Sequence, residues 1–318
     1  MLFATVLVAL GCVLTHSTPP AISGPYKTQT FKFSSPVHDA SNQDVYVTAP
    51  VAEVVTGGDN LTFPLIAYAH GFLGGGVIDI HGYGEFFHQL SSWGFVVAAH
   101  ASCNTGCAMP YVSSRWNSCG GLPEMKPSHG WNSFYSETLK TIEFARNNSQ
   151  LPPFDLINFS LGVAIAGHSM GGQSTAYAAG SKCTDEWDIR AAALHHPADG
   201  TNGASGRNIG ENITVPLAAF TSTGDHICDA SLARAIYSAT PSSTPRLYRN
   251  VIGSSHLEPV LLPPIESPYL AYFTAAWFSI HVGQSTGRAG PGSTAYEAIY
   301  GTGPSSVCGY AKMADCSA

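Results

Sequence analysis

Short, nearly continuous apolar segments alternate with longer amphipathic segments along most of the chain. Apolar runs of about four to eight residues are typical of strands, whereas apolar residues spaced three and four apart are typical of helices. The first pattern predicts strands at Gln29–Phe33, Val45–Thr48, Pro64–Ala69, Phe95–His100, Val163–Gly167, Arg190–Leu194, Val215–Thr221 and Arg246–Val251. The second predicts helices at Tyr83–Ser92, Ser133–Asn147, Met170–Gly180, Ala230–Ala239 and Pro268–His281.

This alternation predicts one α/β domain with a mostly parallel central sheet of about eight strands and helices on both faces. The first two strands have no helix between them, so we expect an antiparallel start to the sheet. Two segments depart from the alternation. Ala101–Gly130 is a long connection rich in Gly, Ser, Pro and Cys, and Gly283–Ala318 is a Gly/Ser-rich tail. Connections as long as the first are usually functional or disordered, and whether this one forms a lid stays open.

The amino-terminal segment is apolar from Leu2 to Leu14 and then turns polar. It is too short to cross about 30 Å of hydrocarbon, which takes roughly 20 helical residues. We expect a secretory signal peptide at residues 1–17, although no Lys or Arg precedes the apolar run. A buried first strand and an uncleaved anchor are the alternatives. No later stretch is long and apolar enough to predict a membrane-spanning helix.

Cysteines and glycosylation motifs agree with secretion. Asn-x-Ser/Thr motifs begin at Asn60, Asn147, Asn158 and Asn212. In an oxidising compartment we expect the later cysteines to form disulfides. We expect Cys308 to pair with Cys316, and two of Cys103, Cys107 and Cys119 to pair with each other. Cys183 and Cys228 could then form a third pair, which leaves one thiol over, and the sequence alone does not fix the pairing. Cys103, Cys107 and Cys119 could instead bind zinc, but no fourth ligand follows at a regular spacing.

The charge balance narrows the class of protein. Only 11% of the 318 residues are charged, and 21 Asp+Glu outnumber 14 Lys+Arg, for a net charge of −7. A nucleic-acid-binding protein needs a basic patch to neutralise phosphates, so this class is excluded. With 44% hydrophobic residues the chain can bury a large core. We expect a monomer.

A candidate nucleophile lies in Gly167-His168-Ser169-Met170-Gly171. The motif follows a predicted strand and precedes a predicted helix, which is the context of a nucleophile elbow, a sharp turn that exposes the serine at the edge of the sheet. An ordinary Gly-rich turn is the alternative. A serine hydroxyl needs a general base, and the base needs an orienting carboxylate.

Asp225 and His256 follow later strands in the order that this type of site requires, serine, acid, then histidine. Asp199 is the competing acid. His195 and His196 are neighbours on a predicted strand, so their side chains should point to opposite faces and a metal site between them is not expected. We predict no cofactor and no metal.

The oxyanion of the reaction needs two backbone N–H donors. We expect them at Met170 and at Phe72, which follows a predicted strand and precedes Leu73-Gly74-Gly75-Gly76. A phosphate loop is disfavoured because no Gly-Lys-Ser/Thr follows. We expect Phe72, with one or more of Tyr83, Phe86, Trp131 and Leu257, to line an apolar cleft.

These motifs together resemble the α/β-hydrolase superfamily. The resemblance rests on His70-Gly71-Phe72, Ser92-Trp93-Gly94-Phe95-Val96-Val97, Gly167–Gly172, Thr223-Gly224-Asp225 and Ser255-His256. They are similar to the branch that holds cutinase-like polyester hydrolases, dienelactone-hydrolase-like proteins, chlorophyllases and platelet-activating-factor acetylhydrolases. The resemblance covers roughly Phe63 to His281, and we expect a single α/β-hydrolase domain over residues 18–318 whose carboxyl-terminal tail is pinned by a disulfide.

The resemblance also implies serine esterase chemistry through Ser169, His256 and Asp225. Two departures argue against a polyester or cutin substrate. Ala198 stands where polyester hydrolases carry an aromatic residue, and the segment Ala101–Gly130 is longer than theirs. We therefore predict a secreted serine carboxylic-ester hydrolase that acts on a small-molecule, lipid or polymer ester. An acyltransferase or peptidase with the same triad, and a non-catalytic binding protein, are the alternatives.

Overall fold

The computed structural model describes residues 23–38, 41–51, 61–71, 82–101, 134–180, 184–200, 207–260, 269–282, 294–310 and 313–318. These residues form one sheet whose strands are β1 Thr28–His38, β2 Ser41–Pro50, β3 Leu65–Ala69, β4 Val96–His100, β5 Val163–His168, β6 Ile189–His195, β7 Leu217–Ser222, β8 Arg246–Val251 and β9 Met313–Ser317. The helices are α1 Gly84–Ser92, α2 Phe134–Asn147, α3 Met170–Ala179, α4 Ala230–Ala239, α5 Leu270–His281 and α6 Ala295–Tyr300.

The strand order across the sheet is β1-β2-β4-β3-β5-β6-β7-β8-β9. The six strands from β4 to β8 in this order are parallel to their neighbours, whereas the β1–β2, β2–β4 and β8–β9 pairs are antiparallel. The predicted fold class is confirmed, including the antiparallel start. Among the helices of the described ranges, none combines the length and apolarity needed to cross a bilayer.

Helices cover both faces of the sheet because the central strands are apolar on both sides. Successive residues of β5 illustrate this, since Ile165 packs into one hydrophobic cluster and Ala164 and Ala166 pack into the other. Leu139 of α2 joins the first cluster, and Trp277 of α5 joins the second. All six residues of β5 are buried, as expected for a strand in the middle of a parallel sheet.

The carboxyl-terminal tail is more regular than its composition predicts. It contributes α6 and the edge strand β9, which pairs with β8. The predicted disulfide between Cys308 and Cys316 is confirmed. It joins Cys316 of β9 to Cys308, eight positions earlier, while backbone pairing holds β9 against β8 at the edge of the sheet.

The predicted pair of Cys183 and Cys228 is wrong, because Cys228 is a buried free thiol. Its backbone N–H donates to Asp225 Oδ1 at 2.8 Å, and this contact holds the residue in the interior beside the candidate site. The predicted signal peptide at 1–17, the segment 102–130 and Cys103, Cys107, Cys119 and Cys183 lie outside the described residues.

Candidate active site

The three predicted site residues lie at one edge of the sheet. Ser169 directly follows β5, Asp225 follows β7, and His256 follows β8. These strands are parallel and lie close together in the sheet, so their carboxyl ends meet. Open α/β sheets bind ligands at this edge.

Ser169 has the backbone conformation of a sharp turn. Its φ of 58° and ψ of −119° lie in a region that costs about 1–3 kcal/mol for a residue other than glycine. Two backbone hydrogen bonds hold this conformation. The Ser169 N–H donates to the carbonyl of His195 at 3.0 Å, and the Ala198 N–H donates to the carbonyl of Ser169 at 2.9 Å. The serine is therefore fixed between the ends of β5 and β6.

Glycines on either side of Ser169 permit this turn. A Cβ on Gly167 would lie 2.3 Å from the carbonyl oxygen of Gly171, and a Cβ on Gly171 would lie 2.1 Å from that of Ala69. Both distances are too short for any side chain. The sequence-based argument that these glycines allow strand and helix to approach closely is confirmed.

Asp225, and not the competing Asp199, faces His256. The Nδ1–H of His256 donates to Asp225 Oδ2 at 2.8 Å. The other carboxylate oxygen, Oδ1, accepts the backbone N–H groups of Ile227 at 2.9 Å and Cys228 at 2.8 Å. Asp199 is exposed.

Hydrogen bonding keeps Asp225 ionised. Burial raises the pKa of this carboxyl, but hydrogen bonds from His196, His256 and the Cys228 N–H outweigh burial and hold the pKa well below its usual range. A carboxylate of this kind can hold an imidazole in one orientation and stabilise its charged form.

A second histidine, His196, contacts the same carboxylate oxygen. Its Nδ1 lies 2.9 Å from Asp225 Oδ2, and its Nε2 lies 2.9 Å from Glu258 Oε2. Glu258 in turn accepts hydrogen bonds from the Nη1 and Nη2 atoms of Arg249, each at 3.2 Å. The side chains of His196, Glu258 and Arg249 are fully buried.

Sequence reasoning placed His195 and His196 on opposite faces, which is confirmed, but it gave His196 no role in the site. His195 contacts Tyr68 and Thr274 in the core, whereas His196 turns toward Asp225. The φ of His196 is 48°, so the strand geometry ends at this residue. The signal in the sequence that could have indicated this role is Glu258, an acidic residue two positions after His256.

Each charged group in this cluster stabilises its neighbour. Burial lowers the pKa of His196, but hydrogen bonds to Asp225 and Glu258 outweigh burial and raise it overall. Burial raises the pKa of Glu258, but the charge of Arg249 and the hydrogen bond from His196 lower it overall. The cluster Arg249–Glu258–His196–Asp225 thus places His196 between two carboxylates, one of which is paired with Arg249.

His168, inside the serine motif, connects the loops of the site. Burial, followed by the nearby His256 and His196, holds the pKa of His168 well below its usual range, so the ring is neutral. Its Nε2–H donates to the backbone carbonyl of His256 at 2.7 Å, and its Nδ1 accepts from the Tyr83 hydroxyl at 2.5 Å. The same hydroxyl accepts the Gly71 N–H at 3.1 Å. The loops that carry Gly71, Ser169 and His256 are therefore linked by one chain of hydrogen bonds.

The free thiol of Cys228 lies beside the candidate nucleophile, Ser169. Burial and the charge of Asp225 raise the pKa of this thiol to about 11, while a hydrogen bond with the Ser169 hydroxyl acts in the opposite direction. Within the described residues no hydrogen bond joins Ser169 Oγ to His256 Nε2. The rings of His168 and His256 are 4.7 Å apart between centroids, which places His256, the candidate base, directly beside the serine motif.

Of the residues predicted to bind substrate, some are buried and one is exposed beside the site. Tyr83 is only 2% exposed and Phe86 is fully buried, so both form the interior behind the site and not its rim. Tyr83 is buried because its hydroxyl makes hydrogen bonds inside the protein, with the Gly71 N–H and with His168 Nδ1. Leu257 is 39% exposed next to His256. Phe72 and Trp131 lie outside the described residues.

Two further apolar side chains are exposed in the loops that contain Asp225 and His256. Ile227 is 71% exposed two residues after Asp225, and Ile252 is 53% exposed at the end of β8. Sequence analysis did not select them. The predicted oxyanion donor Met170 begins α3, and the first N–H groups of a helix have no acceptor within the helix.

His196, Asp225 and His256 offer ligand atoms within 4.8 Å of one another, so we tested whether they fit a metal. Each histidine nitrogen lies 2.8 or 2.9 Å from the same oxygen, Asp225 Oδ2. Nitrogen and oxygen ligands of a tetrahedral zinc would lie about 3.3 Å apart. The arrangement fits two hydrogen bonds to one carboxylate better than a metal site.

A scan of the chain against models of known protein families finds no match, and neither does a search of curated proteins. The functional assignment therefore rests on the residues of the site.

Proposed function

We propose that the chain is a serine hydrolase of the α/β-hydrolase type that cleaves carboxylic esters. One observation carries the proposal. The His256–Asp225 hydrogen bond of 2.8 Å lies beside a serine whose φ is 58°, at the ends of neighbouring parallel strands. An acid–base pair next to a sharply turned serine is the arrangement that nucleophilic acyl transfer requires.

The reaction would proceed in two acyl-transfer steps. Ser169 Oγ attacks the ester carbonyl while His256 Nε2 takes its proton, and His256 then returns the proton to the leaving alkoxide. Asp225 holds the imidazole through Nδ1, so Nε2 is the nitrogen that remains for the serine. The N–H groups of Met170 and Phe72 would stabilise the oxyanion. Water activated by His256 would then release the acid and free the enzyme.

The exposed apolar residues favour an apolar substrate. Ile227, Ile252 and Leu257 lie in the two loops that carry Asp225 and His256. Side chains of this kind would contact an alkyl part of an ester and offer no partner for a charged group. A small-molecule or lipid ester fits them better than a highly polar one.

Secretion belongs to the same proposal. The Cys308–Cys316 disulfide supports an oxidising compartment. Asn147 and Asn212, which begin two of the glycosylation motifs, are exposed and hence accessible to a glycan.

Nitrophenyl esters of graded chain length, together with a fluorophosphonate probe that labels active serines, test the proposal. We expect Ser169→Ala to abolish labelling and to lower kcat by about 10⁵-fold or more. Ser231→Ala, an exposed serine in α4, is the matched control and should behave as wild type. We expect Asp225→Asn to lower kcat by about 10³- to 10⁴-fold, and Asp199→Asn to change it little. An unlabelled wild-type protein without hydrolysis of any ester would refute the assignment.

A further inference from the structure

His196 is enclosed by two carboxylates. Its Nδ1 faces Asp225 Oδ2 and its Nε2 faces Glu258 Oε2, both at 2.9 Å, and all three side chains are fully buried. A neutral imidazole has one N–H donor and one acceptor nitrogen. In a neutral ring, one nitrogen lone pair would therefore face a carboxylate oxygen at hydrogen-bond distance, which is repulsive.

Neither carboxyl group is placed to supply the missing proton. Apart from its contact with His196, Asp225 already accepts three hydrogen bonds, from His256 and from two backbone N–H groups. Glu258 faces the guanidinium of Arg249, which is always charged. Both carboxylates are therefore ionised, and the ring between them must carry both protons.

We propose that His196 is a positioning residue that remains an imidazolium through turnover, fixes Asp225 from the side opposite His256, and opposes the positive charge that His256 gains when it takes the serine proton. The last of these effects rests on the proposed function, in which His256 is the base. The ring centroids of the two histidines are 5.9 Å apart, so the permanent charge of one opposes the transient charge of the other. Removal of the His196 charge should therefore move the pH dependence of the hydrolase reaction.

The other titratable groups around the two rings do not replace this charge. His168, 4.7 Å from the His256 ring, and His195, behind His196, are both neutral because burial lowers their pKa values, in the case of His195 to about 3. The thiol of Cys228 is also neutral, since its pKa is about 11. The opposite charges of Arg249 and Glu258 compensate each other. A neutral substitution of His196 therefore removes a positive charge near His256 that none of these other groups supplies.

His196→Asn is the sharpest variant. Asparagine tolerates the left-handed φ of 48° better than other residues with a side chain, and its amide can still donate to Asp225. The variant thus removes the charge and keeps a donor. Repulsion between unit charges over 5.9 Å, at an effective dielectric constant of about 20 or more, corresponds to roughly one to two pH units.

The measurement is the pH dependence of kcat/KM for a nitrophenyl ester. We expect the acid limb of His196→Asn to lie about one to two pH units higher than that of wild type. His195→Asn removes a neutral neighbouring ring and should leave the limb in place. A merely structural role would lower the amplitude of both profiles without moving them, so superimposable acid limbs for wild type and His196→Asn would overturn the proposal.

A second measurement keeps the proposal testable if the variant does not fold. In wild type labelled with ¹⁵N-histidine, we expect both ring nitrogens of His196 to carry protons at pH 8, where an ordinary histidine is neutral. A singly protonated His196 ring would overturn the proposal. The result does not depend on hydrolysis, so a protein without esterase activity but with a doubly protonated His196 would refute only the proposed function.

Discussion

Removal of the negative charge of Glu258 should destabilise the protein strongly. Glu258→Gln keeps the shape of the side chain and one acceptor oxygen but leaves the two buried cations, Arg249 and His196, facing a single carboxylate, Asp225. Glu258 accepts from His196 Nε2 at 2.9 Å and from both Arg249 nitrogens at 3.2 Å, with no exposure to solvent that could screen the charges.

The size of the effect follows from these contacts. Breaking a buried ion pair by removal of one partner costs about 3–5 kcal/mol, because the remaining charge has no compensation. The amide oxygen of glutamine still accepts one hydrogen bond, so we expect about 3 kcal/mol of lost stability. Arg249→Met removes one of the two stranded cations. The double variant should therefore lose less stability than the sum of the two single variants, with a coupling of about 1–3 kcal/mol.

Urea denaturation followed by circular dichroism measures these free energies of unfolding, with the slope of the transition as a check that the same surface is exposed. Glu186→Gln, on an exposed glutamate, is the matched control and should change stability by at most about 0.5 kcal/mol. If Glu258→Gln cost no more than this control, the buried cluster would not be charged in the way that we infer.

Three further predictions concern other parts of the fold. Gly171→Ala should cost more than about 2 kcal/mol in urea denaturation because its Cβ would lie 2.1 Å from a backbone oxygen, while Gly84→Ala, where nothing lies within 4 Å, should be tolerated. Cys308→Ser opens a disulfide whose cysteines are 8 positions apart and should cost about 2–3 kcal/mol, less if β9 frays without the rest of the sheet. Stability should also fall on both sides of neutral pH. The lowered pKa values of Asp225 and Glu258 give stabilisation that is present above about pH 4 and lost as the pH falls. The raised pKa of His196 gives stabilisation that is present below about pH 6.5 and lost as the pH rises through the pKa of the folded state. Thermal melts across the pH range test this, and a melting temperature that rose steadily with pH would contradict it.

Most of the fold could be predicted from local patterns. The apolar runs of β3, β4, β5 and β7 are buried along their whole length, so their sequences carry a signal that does not depend on distant residues. The more polar β8 also matches its prediction at both ends. The exceptions are α6 and β9. Both are short, and β9 is a partly exposed edge strand without an apolar run, held by pairing with β8 and by a disulfide. Such contacts between distant residues leave no pattern in the segment itself.

The same distinction explains the candidate site. Ser169, Asp225 and His256 each follow a recognisable strand in a known order, so local sequence was enough to select them and to prefer Asp225 over Asp199. His196 could not be selected in this way. Strict alternation predicts only that it faces away from His195. Its role depends on Glu258, which is 62 positions away from it, and on Arg249, which is 9 positions away from Glu258.

The cost of the buried cluster is itself an argument that it serves the site. Only 11% of the residues are charged, yet Arg249, Glu258 and Asp225 are placed in the interior together with His196. Bringing an ion out of water costs several kcal/mol, and apolar residues of similar volume often stabilise a core as well as or better than a buried ion pair. Stability alone therefore gives no reason to keep four charges behind the edge of the sheet. An imidazolium held between two carboxylates does provide one, because it would fix the acid of the proposed triad and act on its base, which are effects that an apolar core cannot supply.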